Sequence, residues 1–303
     1  MKTTAEKKNV YQMVTDRVLE QMEKGLIPWQ KPWHGNAAGA INYVTRKPYS
    51  LLNQFLLGKD GEWLTWKQIK DCGGKLNKGA KAGMVVFYSP FKVTEEKVKA
   101  DGTKEVEERI IPILKYYHVF HIDDCTGIES KLEDTPVTDA HPIETAEAIV
   151  NGYITSDNAP KFHNDKPSDR AYYAPLTDTV VVPMINQYTV TEEYYSTTFH
   201  ELTHSTMKES RCNRKEAQGL AAFGSDNYSR EELVAELGST MLCTIAKLNS
   251  EKAFKNSVAY IQGWLKALAN DNKMIVWAAS RAEKAARYIL GEEPLEGSHY
   301  NEE

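Results

Sequence analysis

The sequence predicts an α+β protein of two domains: an N-terminal α+β domain built around a long hairpin, then a mainly helical domain with a small sheet. Three observations lead there. Apolar residues recur at helical spacing in the opening segment and over long stretches of the second half. A run rich in Val, Ile, Phe and Tyr occupies residues 84–122, broken by Asp101-Gly102, a strong tight-turn signal. Charge also changes sign along the chain. Residues 1–90 hold 14 Lys+Arg against 7 Asp+Glu, a balance of +7; with a formal net charge of −5 for all 303 residues, the remainder carries −12.

Composition sets the outer bounds. At 41% hydrophobic and 26% charged, the chain has the make-up of a soluble globular protein and not of a disordered one. No stretch approaches the roughly 18 apolar residues of a membrane span. The polar start, Met1 to Glu6, lacks the character of a secretory signal. Cys72, Cys125, Cys212 and Cys243 lie far apart and form no CxxC pair, which argues against a cysteine-built metal site or a disulfide framework. A cytoplasmic setting is expected.

Along the chain, Val10, Val14, Val18 and Met22 mark one face of an opening helix, with Gly25 as its stop. Two prolines and two tryptophans make Ile27 to Trp33 irregular. Thr65 is expected to cap a short helix through Ile69, ended by Gly73 and Gly74. Val85, Phe87 and Val93 form the outgoing arm of the hairpin, and Ile110 to Ile122 the return. Glu129 to Pro142 is polar and acidic with two prolines, and reads as a linker. A helix is expected near Ile143 to Val150, then short strands including Thr179 to Val182, then long helices to about Leu290. The expected division is 1–128, a linker at 129–142, a second domain at 143–291 and a flexible tail at 292–303.

His200-Glu201-Leu202-Thr203-His204 matches HExxH. On a helix, positions i and i+4 lie one above the other, so both imidazoles reach one ion, and Glu201 beside them serves as general base. The helix is expected over Glu192 to Lys208, with Thr189 and Glu192 spaced as a capping box. A catalytic zinc site takes three protein ligands and keeps one position open. Glu231, Glu232 and Glu236 offer the third; Glu232 is favoured, with Glu236 on the same face to orient a histidine. Ser229 and Glu232 are also spaced as a capping box, a role that needs no metal. Zinc is the expected ion, with other divalent metals open. In a peptidase it would lower the pKa of its water and polarise a scissile carbonyl, while Glu201 accepts the proton and passes it to the leaving amine. Thr179 to Val182 would offer a sheet edge to a substrate peptide. Tyr194, Tyr228 and Arg230 are the candidates for an oxyanion stabiliser.

In the basic third, lysines and aromatic rings alternate: Trp29, Lys31, Trp33, Arg46, Lys47, Tyr49, Trp63, Trp66, Lys67, Lys70, Lys75, Lys78 and Lys81. Single-stranded DNA is held by this combination, lysines tracking phosphates and rings stacking on bases. A solvated basic face over a tryptophan-containing core has the same composition. Gly74 to Gly79 begins like a P-loop, but Ala80 and Lys81 stand where Lys and Ser/Thr should be, so nucleotide hydrolysis is excluded. There is no GxSxG nucleophile motif.

Taken together, Pro28-Trp29-Gln30-Lys31-Pro32-Trp33, Trp63 to Gln68, Gly73-Gly74, Lys78-Gly79 and Tyr116 to Phe120 resemble the N-terminal domain of the ArdC-type antirestriction proteins of conjugative plasmids and related mobile elements. Ala171 to Tyr173, Asp178, Pro183, Tyr195, Phe199 to His204, Glu231 to Glu236 and the closing helices resemble that family's zincin-like domain. The chain departs from the family pattern at Ala38 to Asn42 and at His121. The resemblance implies a single-stranded-DNA-binding domain followed by a zincin-like metallopeptidase domain. It further implies a role in protecting incoming DNA from restriction, with single-stranded DNA and a DNA-associated protein substrate as partners. Two other readings share the motif: a non-enzymatic DNA-binding protein whose metal is structural or regulatory, and a regulatory zincin protease that cleaves a repressor.

Overall fold

The computed structural model describes residues 9–23, 39–98, 104–132, 142–214, 226–248 and 258–293. Helix α1 (Val10–Glu23) carries the expected stripe, with Val14, Val18 and Met22 buried. A mixed four-stranded sheet follows, formed by β1 (Ala40–Asn42), β2 (Gly61–Thr65), β4 (Gly83–Val98) and β5 (Lys104–His121). Its order is β1-β2-β5-β4, with β1 parallel to β2 and the other pairs antiparallel. Helix α2 (Leu51–Leu57) lies between β1 and β2, and α3 (Trp66–Asp71) follows β2 directly. Thr65 caps α3 and forms a full capping box with Gln68. The short strands β3 (Lys75–Leu76) and β6 (Cys125–Thr126) pair with each other.

The long hairpin is present, its register running from Gly83 opposite Val119 to Val98 opposite Lys104; the expected turn at Asp101-Gly102 lies outside the described residues. Directly paired residues share a face. Met84, Val86 and Leu114 are buried on one face, whereas Phe87, Phe91, Ile111, Ile113 and Tyr117 are exposed on the other.

In the second half come α4 (Pro142–Ile154), β7 (Lys161–His163), β8 (Tyr172–Ala174), β9 (Thr179–Val181), α5 (Thr191–Ser205), α6 (Asp226–Ile245), α7 (Val258–Asn270) and α8 (Met274–Leu290). Three expectations are corrected. The strand at Thr179 is not an edge: β9 sits in the middle of a sheet ordered β7-β9-β8, with its hydrogen-bonding groups taken on both sides. Helix α5 ends at Ser205, and its N-cap is Val190 with no side-chain cap, so Thr189 and Glu192 do not form the box their spacing suggested. Helix α6 begins at Asp226, which places Ser229 inside the helix and removes the capping reading of Ser229 and Glu232.

The linker's first residues are tied to the N-terminal sheet. Ser130 Oγ and the Lys131 amide donate to the fully buried Glu62 carboxylate at 2.8 and 3.0 Å, and the Tyr43 hydroxyl donates to the Glu129 carbonyl. Residues 133–141 and 294–303 lie outside the described residues. One hydrophobic core spans both halves: Val14, Val18 and Phe55 pack in a single cluster with Leu237, Leu268 and Ile275. Among the described residues, no helix is long and apolar enough to cross a membrane.

Candidate metal centre and nucleic-acid face

Helices α5 and α6 pack side by side, and a glycine sets how closely. A Cβ built on Gly238 would lie 2.6 Å from Thr203 Cγ2, inside any real contact distance. This close approach brings the acidic stretch of α6 under the two histidines of α5. His200 Nε2 and His204 Nε2 are 3.1 Å apart. Glu232 closes the triangle, Oε2 lying 3.5 Å from His200 Nε2 and Oε1 lying 3.5 Å from His204 Nε2. These three residues form a group able to hold a metal ion, with their ligand atoms all within 4.8 Å of one another.

The donor set fits a divalent ion. Two donors about 2.1 Å from a common tetrahedral centre lie about 3.4 Å apart, close to the spacings seen. The outer nitrogens are also served. His204 Nδ1 faces Glu231 Oε1 at 3.3 Å, and His200 Nδ1 faces Glu236 Oε1 at 4.0 Å. A carboxylate behind each ligating imidazole is the usual means of fixing its tautomer.

Charge at the site follows from this crowding. Burial disfavours charge on the imidazoles, but Glu231 and Glu232 outweigh it for His204, whose pKa is pushed up to about 10; His200 is raised too, chiefly by Glu232. Burial would raise Glu232, yet the two histidines hold its carboxyl well below the usual range. An ion entering here displaces protons from the imidazoles. Glu201, buried one residue past His200 on α5, is close enough to raise both.

Sequence reasoning missed Arg214. Its guanidinium is 1% exposed and forks onto both oxygens of Glu231, at 2.9 and 2.6 Å. The sequence carries no periodic or spacing signal for it. Of the oxyanion candidates, the Tyr194 hydroxyl accepts from Asn164 and Arg230 pairs with Asp271 at 2.5 Å; the Tyr228 side chain lies outside the described residues.

The basic face divides into exposed and structural residues. Trp29, Lys31 and Trp33 lie outside the described residues. Trp63 is 5% exposed in the core, donating Nε1–H to the Lys59 carbonyl, so it is not available to stack on a base. Arg46 is committed to the buried Glu62, and the half-buried Tyr49 hydroxyl accepts from Asn42. Trp66, at 55% exposure, carries Lys70 Nζ over its ring at 3.7 Å. Lys47, Lys67, Lys75, Lys78 and Lys81 are exposed. The hairpin adds rings that the sequence reading left out. Phe87 and Tyr117 stack at 4.4 Å with an interplanar angle of 11°, both exposed, next to Lys115, which pairs opposite Phe87.

Comparison with known proteins agrees with this architecture. Residues 8–120 match the family described as the N-terminal domain of the anti-restriction factor ArdC, and residues 153–281 match a zincin-like metallopeptidase family. The Mn(II)-bound crystal structure of the antirestriction protein ArdC from plasmid R388 is similar at 30% identity and a TM-score of 0.67, over 97% of this chain and 100% of that one. Its metal-free structure is similar at 31% and 0.65, over 94% and 99%. A DNA primase TraC of Escherichia coli is 31% identical over 94% of this chain, and y4eC of Sinorhizobium fredii is 27% identical over 93%. The chain spans only about a fifth of that TraC (20%) but 91% of y4eC.

Proposed function

The chain belongs to the ArdC family of antirestriction proteins, and from that premise we propose that it binds single-stranded DNA through its N-terminal half. We propose also that it holds a catalytic divalent metal, zinc by its donor set, on His200, His204 and Glu232. The observation that carries the metal reading is the convergence of two imidazole Nε2 atoms and one carboxylate within 3.5 Å of each other, each imidazole backed by a further carboxylate.

A bound divalent ion supplies Lewis acidity, activating water and polarising a carbonyl. The chain's own residues do the rest. Glu201 stands between the two histidines in the sequence and on the same helix, so its carboxylate takes the proton from the attacking water and returns it to the leaving amine. Glu236 and Glu231 hold the imidazoles in orientation. The two histidines and Glu232 remain partly exposed, between 11% and 27% for their side chains, which leaves a path for a substrate. The peptide bond attacked would belong to a protein gathered on the same DNA.

For DNA, the stacking rings exposed among the described residues include Trp66 on α3 and Phe87 and Tyr117 on the hairpin, with Lys67, Lys70 and Lys115 as phosphate partners. The exposure of Trp66 with Lys70 over its ring, and of the stacked pair Phe87 and Tyr117, supports this surface. Helix α3 packs against β5, so the two sets lie on adjoining elements.

Metal content and activity test the reading together. Zinc and manganese bound by the purified chain are expected near one equivalent in total and near none for Glu232→Ala. Glu201→Gln is expected to keep the metal and the DNA affinity but to lose peptide hydrolysis. Antirestriction activity that survives Glu201→Gln unchanged would favour the non-enzymatic DNA-binding reading, and a wild-type chain that binds neither ion would end the metal reading altogether.

A further inference from the structure

Arg214 heads the fully buried large side chains, an unusual place for a guanidinium. Its three guanidinium nitrogens are all engaged, on Glu231, Thr206 and Thr203. Nε donates to Glu231 Oε2 and Nη2 to Glu231 Oε1, Nη1 donates to Thr206 Oγ1 at 2.7 Å, and Nη2 also reaches the Thr203 carbonyl at 2.9 Å. Glu231 Oε1 in turn lies 3.3 Å from His204 Nδ1. A continuous buried line therefore runs from Arg214 through Glu231 to His204, and ends at the Nε2 that faces His200 and Glu232.

A buried ion pair is a poor stabiliser in itself, because desolvation offsets the attraction and an apolar pair of similar volume packs as well. What an apolar pair lacks is direction. The planar fork fixes both oxygens of Glu231 and so fixes the one acceptor that His204 Nδ1–H meets. It also keeps Glu231 from turning inward, which leaves Glu232, its neighbour in sequence, as the carboxylate facing the ion position. On the other side of the site, Glu236 Oε1 stands 4.0 Å from His200 Nδ1, at 20% exposure.

Resting on the metal reading above, we propose that Arg214 is a positioning residue for the metal centre. Acting through Glu231, and anchored to the end of α5 by Thr203 and Thr206, it fixes the orientation of His204 and decides which glutamate completes the site.

The test uses the full chain, measuring Zn²⁺ affinity by chelator competition and the visible absorption spectrum of the Co²⁺-loaded protein. Removing Arg214 alone strands the Glu231 charge, so the informative variant is the double change Arg214→Met with Glu231→Leu, which replaces the pair by apolar groups. It is expected to melt near the wild-type temperature yet to bind Zn²⁺ about 10- to 100-fold more weakly, with an altered Co²⁺ spectrum. A folded double variant with wild-type affinity and spectrum overturns the proposal, since a purely structural pair would leave both untouched. Thr206→Val, an isosteric change that removes only the hydroxyl holding Nη1, keeps the test open if the double variant does not fold. It is expected to weaken Zn²⁺ binding several-fold, and unchanged affinity counts against the proposal. If the wild-type chain takes up no Zn²⁺ or Co²⁺, it is the metal reading that fails, a result distinct from either of these.

Discussion

Asp178 shows how a single side chain holds the end of α5, the helix of His200 and His204, in place. It adopts a positive φ of 50° at the turn into β9, a conformation that Asp tolerates better than most residues. Its carboxylate accepts from Lys208 at 2.6 Å, from both terminal nitrogens of Arg211 at 2.8 Å and from the Tyr173 hydroxyl at 2.9 Å. Arg211 Nη1 donates also to the Ser205 carbonyl, the last residue of α5. Partial burial would raise the Asp178 carboxyl, but the bonds from Arg211, Lys208 and Tyr173 outweigh it and hold the pKa at about 2, against an ordinary 3.8. A depressed carboxyl stabilises the fold above its unfolded pKa, and that gain is lost as pH falls through the folded value. Asp178→Asn is therefore expected to lower stability at pH 7, with the difference from wild type shrinking between pH 4 and pH 2. Solvent screening keeps the gain to about 1 kcal/mol. Urea denaturation at pH 7, 4 and 3 measures it, and a difference that does not change with pH would refute the assignment. At this scale the sequence was legible where chemistry follows spacing. His200, Glu201 and His204 announce themselves four residues apart, and Glu232 and Glu236 follow the same rule. Arg214 did not, and Asp178 entered only through the family resemblance with no role, because their partners lie 17 and 33 residues away and only the packed chain brings them together.

Between elements, the spacing of α5 and α6 rests on Gly238. Alanine is the better helix former by about 1 kcal/mol, so an exposed Gly238→Ala would stabilise α6. Here the added methyl would lie 2.6 Å from Thr203 Cγ2 and 2.8 Å from its Oγ1, and overpacking costs about 1–3 kcal/mol. The steric term wins, and the helices must part. Gly238→Ala is thus expected to weaken Zn²⁺ binding at least several-fold while the helical signal in circular dichroism holds; stronger or equal binding would show that the close approach is not needed. The hairpin and α3 make a second contrast. Alanine at Trp66 or Tyr117 is expected to cost about 1–3 kcal/mol of single-stranded DNA affinity per lost stacking contact and little stability. Trp63→Ala instead opens the core and is expected to cost about 3–5 kcal/mol of stability. Fluorescence anisotropy with a labelled oligonucleotide, repeated across salt concentrations, separates the two. Loss of DNA affinity in a fully folded Trp63→Ala with none in Trp66→Ala would reverse the surface drawn here. The alternation of tryptophans and lysines in the sequence could not tell these rings apart, since a stacking platform and a core tryptophan share one composition. Register decided it: Trp63 sits opposite His121 in the sheet interior, while Trp66 falls one residue past the cap of α3. Likewise the β-branched run at Thr179 identified a strand but not its neighbours, which is why it reads as an edge in sequence and lies central in space.

Across the whole molecule, the charge change and the acidic linker suggest two separable domains, but hydrophobic packing joins them. Val14, Val18 and Met22 of α1 and Phe55 and Leu56 of α2 lie in one cluster with Leu233, Val234 and Leu237 of α6 and with residues of α7 and α8. Polar contacts cross the same boundary. Thr15 Oγ1 donates to the Asn272 carbonyl, Asn272 Nδ2 to Gln12 Oε1, and the Leu51 amide to Glu283 Oε2. Helix α6 is the shared member, presenting Glu231, Glu232 and Glu236 to the two histidines of α5 and its leucines to the N-terminal helices. Cutting the chain after residue 128 would strip the five side chains named on α1 and α2 of the cover that α6, α7 and α8 supply, leaving their packing on Met84, Val86 and Leu114. Full exposure would cost about 1.5–3 kcal/mol each, so the loss is at most about 8–15 kcal/mol, and even half of that is comparable with the stability of an ordinary domain. The fragment 1–128 is therefore expected not to fold alone, and the full chain to unfold in a single calorimetric transition whose van't Hoff and calorimetric enthalpies agree. Leu237→Ala, in the middle of the shared core, should lower that one transition by about 2–5 kcal/mol and reduce metal and DNA binding in parallel at temperatures near the midpoint. Two resolved transitions, or a fragment 1–128 with the sheet intact and the full DNA affinity, would show instead that the shared core is an interface between independent units.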